Sequence, residues 1–350
     1  MKSFTISPTD AGIRVDKFVA RVAPTLPKSL LYKSIRQKNI KRNRKRVEGS
    51  DRLCEGDVLD LYIPDEFFEP AAPRYDFLSA GPLTGIVYED DNILLADKKQ
   101  GLIVHPDQNE YRDTLIGRIQ KYLYEKGEYD PSAEDAFCPA LANRIDRNTG
   151  GIVLAAKNSA ALRLLCDKIK RREMDKYYLA VVHGRPREMS GVLEGYLEKN
   201  EAKNQVFVVK PGTEGAKLAR TRYRVLESRE GLSLVEIELL TGRTHQIRAQ
   251  MASIGCPLLG DGKYGKNAED KRLGFKHQAL YAYRLRFRFT TDAGELAYLN
   301  GRTFTVPRVW FAEELFDYHS DAQPEAPFSP PESDVRAGRR TTDKNDRRIP

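Results

Sequence analysis

The 350-residue chain has no run of some twenty apolar residues and no apolar segment behind Met1, so neither a membrane-spanning helix nor a secretory leader is expected. Its four cysteines, Cys54, Cys138, Cys166 and Cys256, lie far apart with no C-x-x-C pair. That argues against a disulfide framework and against a thiolate zinc site. His105, His183, His245, His277 and His319 are scattered, so a histidine metal centre is not expected either. Walker A, H-E-x-x-H and G-x-S-x-G motifs are absent. The one dinucleotide-like match, Gly260-Asp261-Gly262-Lys263-Tyr264-Gly265, follows an expected helix instead of a strand and would set an acid against a pyrophosphate. No metal and no cofactor is therefore expected, and a cytosolic monomer is the default reading.

What is present is a folded, basic chain. Hydrophobic residues make up 40% and charged residues 31%, enough for a sizeable core beneath an ionised surface. The net charge of +8 is unevenly placed: Gly12 to Pro64 carries 13 Lys and Arg against 6 Asp and Glu. Within it, Arg36–Arg46 holds Lys38, Lys41, Arg42, Arg44, Lys45 and Arg46 besides Arg36, with no acid and one apolar residue, Ile40. Such a run fits a polyphosphate partner, the plain alternative being a solvated basic loop.

Four segments are expected. Residues 12–64 read as a small α/β-type module: Ile13, Val15, Phe18, Val19 and Val22 recur at helical spacing, Ser29 is placed to cap a second helix, and Val58–Ile63 alternates as a strand. Residues 65–83 are proline-rich and read as a linker. Residues 84–317 form a larger unit in which strands outnumber helices, including Ile86–Tyr88, Ile93–Ala96 and Gly151–Ala156, with helices starting near Thr114 and Ser159. Tyr281 to Phe289 alternates apolar residues with Arg284, Arg286 and Arg288, arginines that either line a nucleic-acid path or face water. The fold class is α+β on a mostly antiparallel sheet. Residues 318–350, too poor in large apolar side chains to offset ordering entropy, read as a disordered tail.

Two polar segments sit inside apolar sequence. Asn143-Arg144-Ile145-Asp146-Arg147-Asn148-Thr149-Gly150-Gly151 runs straight into the strand at Ile152. An Asp bracketed by arginines there is either a structural turn acid or a carboxylate kept for use. Thr241-Gly242-Arg243-Thr244-His245-Gln246-Ile247-Arg248 precedes a helix whose apolar side is Ile247, Met251 and Ile254. With Thr244 as cap, Arg243, His245 and Arg248 would gather at a helix start that favours an anion; an exposed basic helix start is the alternative.

These motifs resemble the signatures of the pseudouridine synthases of the large-subunit ribosomal RNA type. The Asn143–Gly151 segment is similar to the family's Asp-containing block, usually His-Arg-Leu-Asp-x-x-Thr-Ser-Gly. Lys176-Tyr177-Tyr178 is similar to its Lys-x-Tyr strand, and Thr241–Arg248 with Gly260-Asp261-x-x-Tyr264-Gly265 to its third block. Asn143 stands for the usual His, and Gly150 for the usual Ser, which leaves that loop less tied. The N-terminal module resembles the ribosomal-protein S-four type of RNA-binding module, with Asn39 where Gly is common.

The resemblance implies isomerisation of uridine within RNA, without a cofactor, ribosomal RNA being favoured and transfer RNA the other candidate. It implies Asp146 as the catalytic carboxylate, Tyr178 beneath the target base, Arg144 replacing the extruded base or holding the backbone, and Arg147 on a phosphate. A carboxylate in a closed site needs a cation to stay charged: at about 4 Å and an effective dielectric near 20, a guanidinium supplies roughly 4 kcal/mol, and Arg248 is the partner expected. The rivals are a non-catalytic RNA-binding protein that kept the fold, hinted at by Asn143, and a glycosidic hydrolase, for which a second carboxylate is wanting.

Overall fold

The computed structural model describes residues 1–68, 75–107, 110–133, 136–200, 205–265 and 267–320. The expected tail from 321 onward lies outside the described residues. The chain divides into two compact units, Met1–Arg74 and Tyr75–Pro350.

The first unit contains β1 (Lys2–Thr5), α1 (Val15–Val22), α2 (Lys28–Arg36), β2 (Ile40–Arg42), β3 (Lys45–Arg46) and β4 (Val58–Leu61). Val15, Phe18 and Val19 of α1 are buried against Leu31 and Ile35 of α2 and Ile40, Leu59 and Leu61 of the sheet. The unit begins before residue 12, because Lys2–Thr5 pairs with Leu61–Val58 and completes a sheet ordered β1-β4-β2-β3. Ser29 does not cap α2; Pro27 is its N-cap, with φ −60° already set by the ring. The basic run becomes the β2–β3 hairpin, turned by Asn43 and Arg44 at φ 51° and 63°, the two left-handed residues that a tight primed turn requires. The left-handed residue entering β2 is Lys38, at φ 63°, so Asn39 at the usual glycine place needs no strained backbone.

The second unit runs β5 (Ile86–Glu89), β6 (Ile93–Lys98), α3 (Leu115–Glu125), β7 (Ala140–Leu141), β8 (Gly150–Ala156), α4 (Ser159–Lys170), β9 (Met174–His183), β10 (Ser190–Asn200), β11 (Gln205–Val209), β12 (Lys217–Arg229) and β13 (Leu232–Leu239). It ends with α5 (Gln246–Ser253), α6 (Asn267–Arg272), β14 (Leu280–Phe287), β15 (Thr303–Thr305) and α7 (Trp310–Phe316). Its eleven-stranded sheet is ordered β11-β10-β12-β13-β9-β14-β8-β6-β5, with β15 on β14 and β7 on β8. Among the described strands of this sheet only β8 and β14 pair in parallel, so the α+β expectation of a mostly antiparallel sheet holds. Thr114 caps α3 through its hydroxyl, and Asn158, one residue before Ser159, caps α4. Asp76–Ser79 forms a helical turn whose Phe77 is buried with Leu115 and Ile119 of α3, so the end of the expected linker belongs to this unit.

Each face of the sheet buries a core. Leu165 of α4 and Phe311 of α7 pack on one face with Leu179 and Tyr283, and Ile119 of α3 with Ile247 and Met251 of α5 on the other with Val153 and Ile237. Strand alternation decides which residue of β9 goes where: Tyr177 and Leu179 join the first face, Tyr178 and Ala180 the second. Two arginines of the β14 region, Arg284 and Arg288, lie beside acids. Arg284 lies 3.8 Å from Glu236 and stacks on Tyr177 and Tyr283, and Arg288 donates to Asp175; they are neutralised on the face away from Tyr178.

The parallel β8–β14 contact exists because of two glycines. A Cβ on Gly150 would lie 2.3 Å from the Tyr281 ring, and one on Gly151 only 2.2 Å from the Ala282 carbonyl oxygen, at φ 109°. Tyr281 is in turn anchored by its hydroxyl to Asp97 at 2.7 Å. Gly150 therefore does not loosen the loop: an anchored ring fills the space a side chain would take. Gly151→Ala should destabilise the second unit by roughly 3 kcal/mol, strain and overpacking acting together. Gly184→Ala, at φ 71° with open space around it, should cost only about 1 kcal/mol. Denaturant midpoints compare them, and equal losses would contradict this packing account.

Candidate active site

The loop before β8 is fixed at both ends by its own polar groups. Asn143 accepts the Leu154 N–H through Oδ1 at 2.8 Å, and Thr149 receives a hydrogen bond from Gln278. Beneath it, the fully buried Lys98 at the end of β6 donates to the carbonyls of Lys99, Leu102 and Arg147, at 3.0, 2.8 and 2.8 Å. Burial pulls the Lys98 pKa down to about 7, against the opposing pull of Asp146 and Asp97. The ammonium thus ties three backbone segments under the Asp146 turn, leaving the Asp146 carboxylate 30% exposed.

Arg248, buried in the first turn of α5, reaches this carboxylate. Its Nη1 donates to Asp146 Oδ2 at 3.1 Å, while Nε and Nη2 donate to Oδ2 and Oδ1 of Asp261, both at 2.7 Å. Asp261 has no exposed surface and also accepts the backbone N–H groups of Lys263 and Tyr264. Burial raises the Asp261 pKa, but Arg248 and these amides bring it below the usual carboxylate value. Burial opposes the Arg248 charge too, and the two carboxylates lift its pKa above the usual value. The guanidinium is therefore a fixed cation that still presents Nη1 to Asp146.

Two more side chains complete the cluster. Tyr178 is buried on β9, and burial, with a smaller push from Asp146, holds its phenol far above the usual range. His245 Nε2 lies 3.7 Å from Asp146 Oδ2, and its Nδ1 is 3.0 Å from the Tyr264 hydroxyl. The Tyr264 ring lies 5.2 Å from the Arg248 guanidinium carbon. A carboxylate, an immobilised cation and an imidazole thus meet around one partly open position, with the buried Tyr178 phenol near enough for Asp146 to raise its pKa. Among the described residues, no group of three or more His, Cys, Asp or Glu could hold a metal ion.

Comparison with known proteins gives this cluster a context. The sequence profile for RNA pseudouridylate synthase matches residues 92–253. A ribosomal large subunit pseudouridine synthase C of Vibrio cholerae serotype O1 is 33% identical over 284 residues, spanning 79% of this chain and 85% of the relative. The chain belongs to the RNA pseudouridylate synthase family. An uncharacterized RNA pseudouridine synthase of Bacillus subtilis (strain 168) is 30% identical across 81% of this chain and 88% of its own length. Among solved structures, human RNA pseudouridylate synthase domain containing 1 shares the fold, with a TM-score of 0.51 at 22% identity over 67% of this chain and 87% of that one. The protein is accordingly an RNA-modifying isomerase.

Within this synthase, Asp146, Tyr178, Arg248 and His245 are brought together. Arg144 and Arg147 are exposed beside Asp146; Arg147 pairs with Asp107 at 3.1 Å. Arg144 has no ion pair or hydrogen bond to a described residue. Arg243 is exposed, its Nε donating to the Leu218 carbonyl. The expected Thr244 cap is not formed. The helix starts at Gln246, with left-handed His245 as an N-cap that makes no capping bond. Gln246 itself accepts the Arg243 amide and the Thr241 hydroxyl. The anion that this region serves is Asp146, reached through Arg248.

The candidate RNA-binding residues of the first unit, Lys38 to Arg46, lie on its β2–β3 hairpin or beside it. Lys38, Arg44, Lys45 and Arg46 are exposed, Lys41 lies over the Tyr62 ring, and Arg42 is tied to the Arg52 carbonyl and to Asp57.

Asp261 and Tyr264 belong to the third block of the resemblance without an expected role, and Lys98 carries no signal in the sequence. Asp261 and Tyr264 stood inside the glycine-spaced match dismissed as a nucleotide loop. An acid between two glycines, opposite an arginine-bearing helix, was the available signal.

Arg248→Lys keeps a charge but cannot bridge two carboxylates with a planar fork. Pseudouridine formation should fall by roughly 10- to 100-fold, the loss expected for one or two charge-assisted hydrogen bonds, with RNA affinity little changed. A near wild-type rate would show that the bridge is dispensable.

Proposed function

We propose that this synthase converts uridine to pseudouridine in ribosomal RNA, with Asp146 as the catalytic carboxylate, Arg248 as its fixed counter-charge and Tyr178 against the target base. The observation that carries the reading is the Arg248 bridge from buried Asp261 to partly open Asp146. It supplies what a reacting carboxylate needs: a compensating charge that does not move, and access from outside.

In the reaction, the N1–C1′ bond of uridine breaks, the uracil turns, C5 bonds to C1′, and the proton lost from C5 is matched by one gained at N1. Substrate and product have the same atoms. Asp146 faces the ribose side of this exchange, and the neutral Tyr178 offers an aromatic surface to the uracil once the nucleotide has left its stack. Arg144, unpaired among the described residues and two positions before Asp146, is placed to occupy the room the base leaves. Arg147 and Arg243, both exposed, contact the RNA backbone. The ribosomal target rests on the names of the relatives and on the basic hairpin of the first unit, which we assign as an RNA anchor of the S-four type.

The rival readings lose their motivation. Asn143, the hint of a non-catalytic relative, has the structural task of holding the Leu154 amide, which a neutral side chain performs. A hydrolase needs a second free carboxylate, and Asp261 is wholly engaged by Arg248 and two backbone amides.

Asp146→Asn should bind a uridine-containing ribosomal transcript with unchanged affinity and form no pseudouridine, as read by pseudouridine mapping; product at the wild-type rate would overturn the assignment. Replacing Lys45 and Arg46 together by Ala should weaken binding and flatten the salt dependence of log K by about 1–2, two phosphate contacts' worth. An unchanged slope would remove the hairpin from the RNA interface.

A further inference from the structure

The contacts of Tyr264 bear on where the proton sits on His245. A phenol has one hydrogen to donate and lone pairs to accept with. The Tyr264 oxygen accepts the Val206 N–H, at 2.7 Å, from the start of β11. The described neighbour placed to take its own hydrogen is His245 Nδ1, at 3.0 Å. An imidazole that accepts at Nδ1 carries its proton at Nε2. That nitrogen faces Asp146 Oδ2, at 3.7 Å, where an unprotonated lone pair would meet an anion. Both ends of the ring select the same tautomer.

The backbone agrees. His245 adopts φ 49° and ψ 20°, left-handed for a residue with a side chain, and it stands at the N-cap of α5 without making a capping bond. Such conformations persist where surrounding contacts over-determine them, commonly at functional sites. Here they aim the imidazole at the carboxylate. Burial lowers the His245 pKa, as do Arg248 and Lys263, against the opposing pull of Asp146 and Asp261, which favours a neutral ring.

We propose that His245 is a positioning residue for Asp146: a neutral imidazole, locked as the Nε2–H tautomer by the Tyr264 hydroxyl, that donates to Oδ2 and holds the carboxylate in the orientation it shares with Arg248. The proposal rests on Asp146 being the reacting carboxylate. The 3.7 Å separation is long for a hydrogen bond, and contacts of this kind tighten when substrate closes the site. The Val206 amide makes the first strand residues of the β10–β11 hairpin part of the same chain of contacts.

The test uses the full-length protein and a uridine-containing ribosomal transcript. Tyr264→Phe keeps the ring beside Arg248 and removes only the hydroxyl. In ¹⁵N-histidine-labelled protein, with the His245 signal identified by its loss in His245→Gln, the wild type should show His245 protonated at Nε2 and bare at Nδ1. Tyr264→Phe should lose that pattern. The single-turnover rate should fall roughly tenfold in Tyr264→Phe and further in His245→Ala, with RNA affinity unchanged, and His245→Gln, whose amide can still donate, should recover part of it. Wild-type rates in Tyr264→Phe and His245→Ala, or a loss confined to RNA affinity, would overturn the proposal. Asp146→Asn in the same assay separates the two readings. If it is inactive while Tyr264→Phe is not impaired, only the role of His245 fails; if it is active, the assignment of Asp146 fails with it.

Discussion

A guanidinium carries five N–H donors in one plane, and Arg248 directs three hydrogen bonds to two carboxylates of opposite character. Asp261 is sealed, with both oxygens paired to Arg248 and further held by two backbone amides. Asp146 receives a single bond, and its side chain is partly open. Without Asp261 the arginine would be a flexible cation in a buried place, costly to keep there. With it, the cation is fixed before any substrate arrives, and electrostatic help that needs no reorganisation is the most effective kind.

The fold assembles this arrangement from segments far apart in the chain. The Asp146 turn lies against β8, Tyr178 is on β9, Arg248 on α5, and Asp261 follows that helix. Two glycines let β8 approach β14 closely, while Lys98 gathers three carbonyls under the turn. Its lowered pKa, about 7, follows from burial, which the pull of Asp146 and Asp97 only partly offsets. On the opposite face of the sheet, Arg222, Arg224 and Arg288 pair with Glu238, Glu236 and Asp175.

Much of this was legible in the residues. Apolar spacing placed α1 and α3, alternation placed β14, and the Asp146 and Arg248 segments stood out as polar runs within apolar sequence. The partnership of Arg248 with Asp146 followed from the need to keep a carboxylate charged. Other features depend on contacts between residues distant in sequence. Nothing local to Lys2–Thr5 says that it pairs with β4, and nothing local to Tyr281 says that its ring occupies the space beside Gly150. Thr244 carries the chemistry of a helix cap, yet left-handed His245 stands at the N-cap instead and the helix starts one residue later. Asp261 was read as an obstacle to phosphate binding, when its partner was a guanidinium thirteen positions earlier.

The central claim is that catalysis depends on Asp261 fixing Arg248. The direct measurement is the single-turnover rate of pseudouridine formation by Asp261→Asn, nearly the same in shape and checked for folding by circular dichroism, on an RNA it binds as tightly as the wild type does. The account predicts a folded, RNA-binding protein slowed by roughly 100-fold, because the arginine loses its charged anchor. A folded variant that modifies RNA at the wild-type rate would contradict it.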